Sequence, residues 1–355
     1  MKNDILNALK YYLKAEEQGI SQCYPKAEKQ SSVNAKLYYN ISCCYSLIKD
    51  YKNALIYANK EIFTDKTSSK GYYRRGTIYC ECGNLDEALE SYLEAEKCVP
   101  DHNFFDQMYW SMSNIYLNKQ DFENAQKYIE KAISINNKNA DFYFTKGGLN
   151  YIQKNFSEAL RLYKKAYELG RRDSDLIVVI SITYIILKKY KLALAFIDKH
   201  LPSSQDKCSL LFSKASALYM LKKYQEAKEI LEELHKINPT DIAVIQSYAA
   251  VVLATEKHYK KIIQLLEPFK EHLAEIDPYS CFVLNLSYFK TGNYKESLNL
   301  LNEYANFAPL ERIQYKDKQD TKKLVNNLYK RLGLNDELKN IINKFSPVII
   351  FPKYI

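Results

Sequence analysis

Apolar residues recur at three-to-four spacing through most of the chain, in stretches of about a dozen residues parted by short polar breaks. Residues 37–48 (LYYNISCCYSLI) and 51–62 (YKNALIYANKEI) show the pattern: each stretch has one apolar face and predicts an amphipathic helix, and only a short polar break parts the two. The longest apolar run, 176–187, has 12 residues and includes Ser181 and Thr183. A bilayer span needs roughly 20, so this run predicts a buried helix.

The pattern is periodic. An aromatic or apolar residue, two further residues and then alanine recur as YKNAL (51–55), LDEAL (85–89), FENAQ (122–126), FSEAL (156–160), YKLAL (190–194) and YQEAK (224–228). Ala54, Ala88, Ala125, Ala159, Ala193 and Ala227 are separated by 34, 37, 34, 34 and 34 residues. HYKKIIQLL (258–266) is a degenerate copy, and YKESL (294–298) puts Ser297 in the alanine's place. Pro100, Pro239 and Pro309 close three of the units. An alanine where two helices cross lets them approach closely, and one pair cannot bury its own apolar face, so neighbours must stack.

A 34-residue unit with a central small residue, an aromatic before it and a closing proline resembles the tetratricopeptide repeat. The resemblance implies an all-α fold, an α-α superhelix of antiparallel helix pairs. It covers residues 35–309 as units 35–68, 69–102, 106–139, 140–173, 174–207, 208–241, 242–277 (degenerate) and 278–309. The family's Trp is mostly replaced by Tyr or other apolar residues, and its glycine at the eighth position survives only at Gly76 and Gly147. Residues 1–34 are expected to hold a half-repeat helix at 4–17 and a spacer at 18–34. Residues 310–355 are expected to hold a linker, capping helices at 320–331 and 334–345, and an apolar tail.

Composition sharpens this in two ways. Nine Gly and nine Pro in 355 residues argue against a turn-rich β sandwich or barrel; they also suggest that hardly any turn needs positive φ. Eight cysteines in no metal-ligand or secreted spacing read as free thiols of a reducing cytoplasm. The N-terminal residues lack a signal-peptide layout. No phosphate-binding glycine loop, nucleophile elbow or zinc motif occurs, so neither enzyme, metal nor cofactor is expected. The charge of +9 is diffuse, with lysine pairs at 188–189, 222–223 and 260–261, which argues for solubilising charge over nucleic-acid binding.

The resemblance also implies where a partner would sit: in a concave groove lined by the first helix of each pair. The fifth residues of the units, which that fold turns toward the groove, are aromatic in six of eight, including Tyr39, Tyr73, Trp110 and Phe144. They read either as anchors for an apolar ligand segment or as rings buried by superhelical curvature. In chaperone-binding co-chaperones of the family, an Asn on one helix and a Lys and Arg four apart on the next clamp an acidic C-terminus. Asn40, Lys70 and Arg74 stand at those positions. Lys70 and Arg74 share a helix face and offer charge-assisted donors to a carboxylate, although the clamp's two residues from a preceding repeat have no counterpart. The alternative is a solvated cationic face. The expected function is a cytoplasmic adaptor that holds a peptide, with no catalytic role. A structural subunit of a stable assembly, or a secreted effector that binds host proteins, fits the same residues.

Overall fold

The computed structural model describes residues 2–18, 27–98, 104–271, 278–307 and residues 323, 324 and 327. Among them are seventeen α-helices and no strand. Two compact units divide the chain, Met1–Arg171 and Arg172–Ile355.

In the first unit, α1 (Lys2–Glu17) packs on α2 (Ala27–Leu47), which pairs with α3 (Tyr51–Thr64). The pairs α4 (Ser69–Cys82) with α5 (Leu85–Lys97), α6 (Phe105–Asn118) with α7 (Phe122–Ile135), and α8 (Ala140–Ile152) with α9 (Phe156–Glu168) follow. Helix α2 starts at Ala27, inside the stretch expected to be spacer. Helix α1 packs on α2 where Leu9, Leu37, Ile41 and Cys44 form one cluster. Tyr57 and Lys60 of α3 both donate to Glu16 of α1, at 2.6 and 2.7 Å.

The second unit pairs α10 (Ser174–Ile186) with α11 (Tyr190–His200), and α12 (Lys207–Met220) with α13 (Tyr224–Ile237). After these come α14 (Ile242–Thr255) with the short α15 (Tyr259–Leu266), and α16 (Pro278–Thr291) with α17 (Tyr294–Phe307). The expected capping helices at 320–331 and 334–345, and the tail, lie almost wholly outside the described residues.

All six periodic alanines are fully buried, and Ser297 is buried in the same place. Close approach at these crossings is achieved in two ways. Ser42 and Ser113 each donate a hydrogen bond to the alanine carbonyl opposite, Ala54 and Ala125, at 2.8 Å. Gly76 and Gly147 instead face the rings of Tyr92 and Tyr163, four residues past the alanine; a Cβ on either glycine would stand 2.5 and 2.6 Å from the ring. Opposite the two serines, the matching positions hold Ala58 and Ile129, which leave room for the hydroxymethyl group.

The turns correct one expectation. Each of the eight turns within a pair contains a residue with positive φ: Lys49, Gly83, Gln120, Lys154, Lys188, Lys222, Lys257 and Gly292. Only two are glycine, so scarce glycine does not mean that left-handed backbone is rare here. In the Lys49 turn, Lys49 N–H donates to Ser46 and Asp50 N–H to Tyr45, the Schellman pattern that closes a helix C-terminus. Asp50 then caps the next helix by accepting from Asn53 N–H, and Asp121 does the same for Asn124. The last peptide groups of one helix and the first of the next are thereby satisfied within two residues, which offsets the roughly 1–2 kcal/mol of a left-handed non-glycine residue.

Candidate peptide-binding groove

The first-unit site is built from α2, α4, α6 and α8, the first helices of their pairs. Arg74, half-buried on α4, donates from Nη2 to the Ser42 carbonyl of α2 at 3.3 Å. Its Nε is buried with no hydrogen-bond partner among the described residues. Lys70, one turn earlier, is exposed, and Asn40 is half-buried on α2, two residues before the carbonyl that Arg74 reaches. Asn40, Lys70 and Arg74 therefore lie on two contacting helices.

A fourth group joins them. Glu61 of α3 is only 3% exposed and lies in the field of both Arg74 and Lys70. Burial pushes its carboxyl up to about 7, against the opposing pull of Arg74 and then Lys70. Tyr39 and Cys43 of α2 share a hydrogen bond beside the same guanidinium; burial pushes the phenol up to about 12 and raises the thiol. Sequence reasoning missed Glu61. Its one signal is an acidic residue seven after Ala54, where the next three pairs have Ala95, Ala132 and Ala166.

The four aromatic positions are half-buried. Of the two readings, ligand anchors and rings buried by curvature, three of the four rings show the packing contacts of the second. Tyr73 stacks on Phe104 with centroids 4.6 Å apart and meets Tyr92 at 5.9 Å. Trp110 donates from its indole Nε1 to the Thr145 hydroxyl at 2.8 Å, tying α6 to α8. The Arg171 guanidinium covers the ring of Phe144 at 3.8 Å and donates to Asp141 at 2.7 Å. Trp110 bridges two consecutive repeats, because a helix pair with one apolar face must bury it on its neighbour, while the contacts of Phe144 stay within its own repeat.

The second unit holds a cavity of about 390 Å³, lined among others by Tyr219, Met220, Gln246, Val251 and Tyr279. Gln246 has a buried side-chain nitrogen there without a hydrogen-bond partner among the described residues. Its sequence signal is faint: α14, IAVIQSYAAVVLAT, has apolar residues on all sides and not on one stripe. Among the described residues, no three His, Cys, Asp or Glu are placed to hold a metal ion. No helix among them is long and apolar enough to cross a membrane.

The pairs α2/α3, α4/α5, α6/α7 and α12/α13 match the tetratricopeptide repeat family, over residues 35–60, 69–97, 106–139 and 209–241. These four pairs are tetratricopeptide repeats, and repeats of this kind form protein-interaction scaffolds. The unmatched pairs α8/α9 and α10/α11 keep the buried alanine, as Ala159 and Ala193, and the left-handed turn residue, as Lys154 and Lys188. The chain is 38% identical over 68 residues to Heat shock protein STI1 of Saccharomyces cerevisiae, covering 19% of this chain and 12% of that protein. It is 28% identical over 119 residues to Peptidyl-prolyl cis-trans isomerase CYP7 of the same yeast, covering 31% and 30%. The chain therefore matches less than a third of the length of either curated relative. Among solved structures, pilF of Pseudomonas aeruginosa is similar, with a TM-score of 0.53 and 13% identity over 62% of this chain and 98% of that one. That likeness is one of fold.

Proposed function

We propose that this protein is a non-catalytic adaptor of a reducing, cytoplasmic compartment that holds a peptide segment against the first helices of its repeats. In the first unit, Lys70 and Arg74 would take the carboxylates of an acidic C-terminus, and the Asn40 amide would supply a neutral donor. The observation that carries this reading is Arg74: it is held at one end by the Ser42 carbonyl of α2 while its Nε is left without a partner among the described residues. A partly buried guanidinium with unmet donor capacity favours an anion. The exposed parts of Tyr39, Tyr73, Trp110 and Phe144 would then contact apolar side chains of the same segment. Similarity to a heat shock protein supports a chaperone tail as the acidic segment.

The experiment is a titration with an acidic peptide ending in a free carboxylate, followed by fluorescence anisotropy. Wild-type protein is expected to bind and to lose affinity as salt rises, and Arg74→Ala to weaken binding at least tenfold. Equal affinity in wild type and Arg74→Ala would remove the clamp from the reading.

A further inference from the structure

One junction between repeats is built unlike the others. Seven residues past the central alanine, four later pairs bury a small or apolar side chain, at Ala95, Ala132, Ala166 and Leu234, and the pair with Ala193 buries His200. The α3–α4 junction buries Glu61 instead. The facing position on the following helix is apolar at Met108, Phe142, Leu176, Leu210 and Val244, but is Gly71 here. The missing side chain makes the space: a Cβ on Gly71 would stand 3.4 Å from the Glu61 carboxyl carbon. Carboxyl and glycine together replace an apolar contact, and Glu61 Oε2 is buried with no hydrogen-bond partner among the described residues.

The groups facing this carboxyl are few. Lys70 and Arg74 come from α4, the Cys43 thiol from α2, and Asp65 from the end of α3 itself. Glu16 of α1 is held by Tyr57 and Lys60 and is not among the charges that act on Glu61. A carboxylate at this place cancels part of the field of Lys70 and Arg74. It does so without forming the complete set of hydrogen bonds that would fix it as an ion pair.

We propose that Glu61 is a proton-operated counter-charge of the Lys70–Arg74 site, so that an acidic ligand binds there with uptake of one proton by the Glu61 carboxyl. The inference rests on the reading of Lys70 and Arg74 as an anion-binding pair. A ligand carboxylate brings a second negative charge against the same two cations, of which Arg74 is half-buried. Neutralising Glu61 removes the like-charge repulsion at the cost of one proton taken from solvent. The proton is bound to a Glu61 oxygen on association and returned on release. Burial already places the Glu61 carboxyl at about 7, so the exchange falls in the neutral range.

The test measures affinity for an acidic peptide with a free C-terminal carboxylate from pH 6 to pH 8.5, for wild type, Glu61→Gln and Asp65→Asn. Wild type should bind about tenfold tighter at pH 6 than at pH 8.5, the change that a one-unit rise of one carboxyl on binding produces. Glu61→Gln should show a flat profile at the tight limit, and Asp65→Asn should keep the wild-type slope. A wild-type slope retained in Glu61→Gln, or a flat wild-type profile, overturns the inference while leaving the anion site standing. Absence of binding by both proteins at every pH overturns the anion site itself, and this inference with it. Should Glu61→Gln not fold, calorimetry of wild type near pH 7.5 in two buffers of different ionisation enthalpy reads proton uptake directly. About half a proton per peptide, the uptake that a one-unit rise gives midway between the free and bound values, supports the proposal and none defeats it.

Discussion

Gly76 lies so close to the ring of Tyr92 that a Cβ would stand 2.5 Å from its Cε1, and Gly147 repeats the relation with Tyr163. Where the facing residue is Ile129, the chain has Ser113 instead of glycine. Gly76→Ala should therefore destabilise the protein by about 1–3 kcal/mol through overpacking. Adding Tyr92→Ile should recover most of the loss, because it recreates the Ser113–Ile129 spacing. Urea midpoints of the two single variants and the double, followed by circular dichroism, check this; purely additive losses would contradict it.

The left-handed turn residues make the opposite kind of prediction. Lys154 has φ 64°, and its side chain is exposed. Lys154→Gly removes the strain of the left-handed backbone and adds unfolded-state entropy, for a net gain of up to about 1 kcal/mol. Lys154→Val, which is β-branched, should lose at least as much. Thermal melts of both variants give the order.

Glu61 predicts a pH dependence of stability as well as of binding. Its carboxyl is raised in the folded protein to about 7 from a model-peptide value near 4.5, so the folded state holds the proton more tightly than the unfolded state. Its favourable contribution is complete below about pH 4.5 and is lost as pH rises through 7. The loss is on the order of 3 kcal/mol for one carboxyl shifted this far. Relative to Glu61→Gln, wild type should therefore lose stability between pH 5 and pH 8. A difference that grows toward acid would show that Glu61 is held as a satisfied anion.

Trp110 is the chain's one tryptophan, and its Nε1–H is bonded to Thr145. Trp110→Phe should cost about 1 kcal/mol by removing the indole's hydrogen bond to the Thr145 hydroxyl, which keeps Asn114 Oδ1 as its acceptor, while leaving helix content unchanged. In wild type, the emission of this indole should shift when an acidic peptide with an apolar side chain enters the groove. An unchanged spectrum at saturating peptide would place the ligand away from Trp110.

Much of the fold was legible in the chain because period and burial share one cause. A helix pair that needs a small residue at its crossing must repeat it every unit, so Ala54 to Ala227 announced the pairs and their order before any coordinates. The positions of Asn40, Lys70 and Arg74 on adjacent first helices followed from the same register. The turns were not legible: Lys49, Lys154 and Lys188 adopt positive φ, which their identity argues against. What holds them there is the pair of hydrogen bonds between two helix ends, a property of the assembled turn. The aromatics at the fifth positions were legible as a ladder that either anchors a ligand or packs, but not by which partners they pack: Phe104, Thr145 and Arg171 reach them from other segments. Glu61 shows the limit most plainly. By itself it reads as one more polar helix residue; burial against Gly71, beside Arg74, decided its charge, because desolvation is set by what surrounds a carboxyl and not by the residues next to it in the chain.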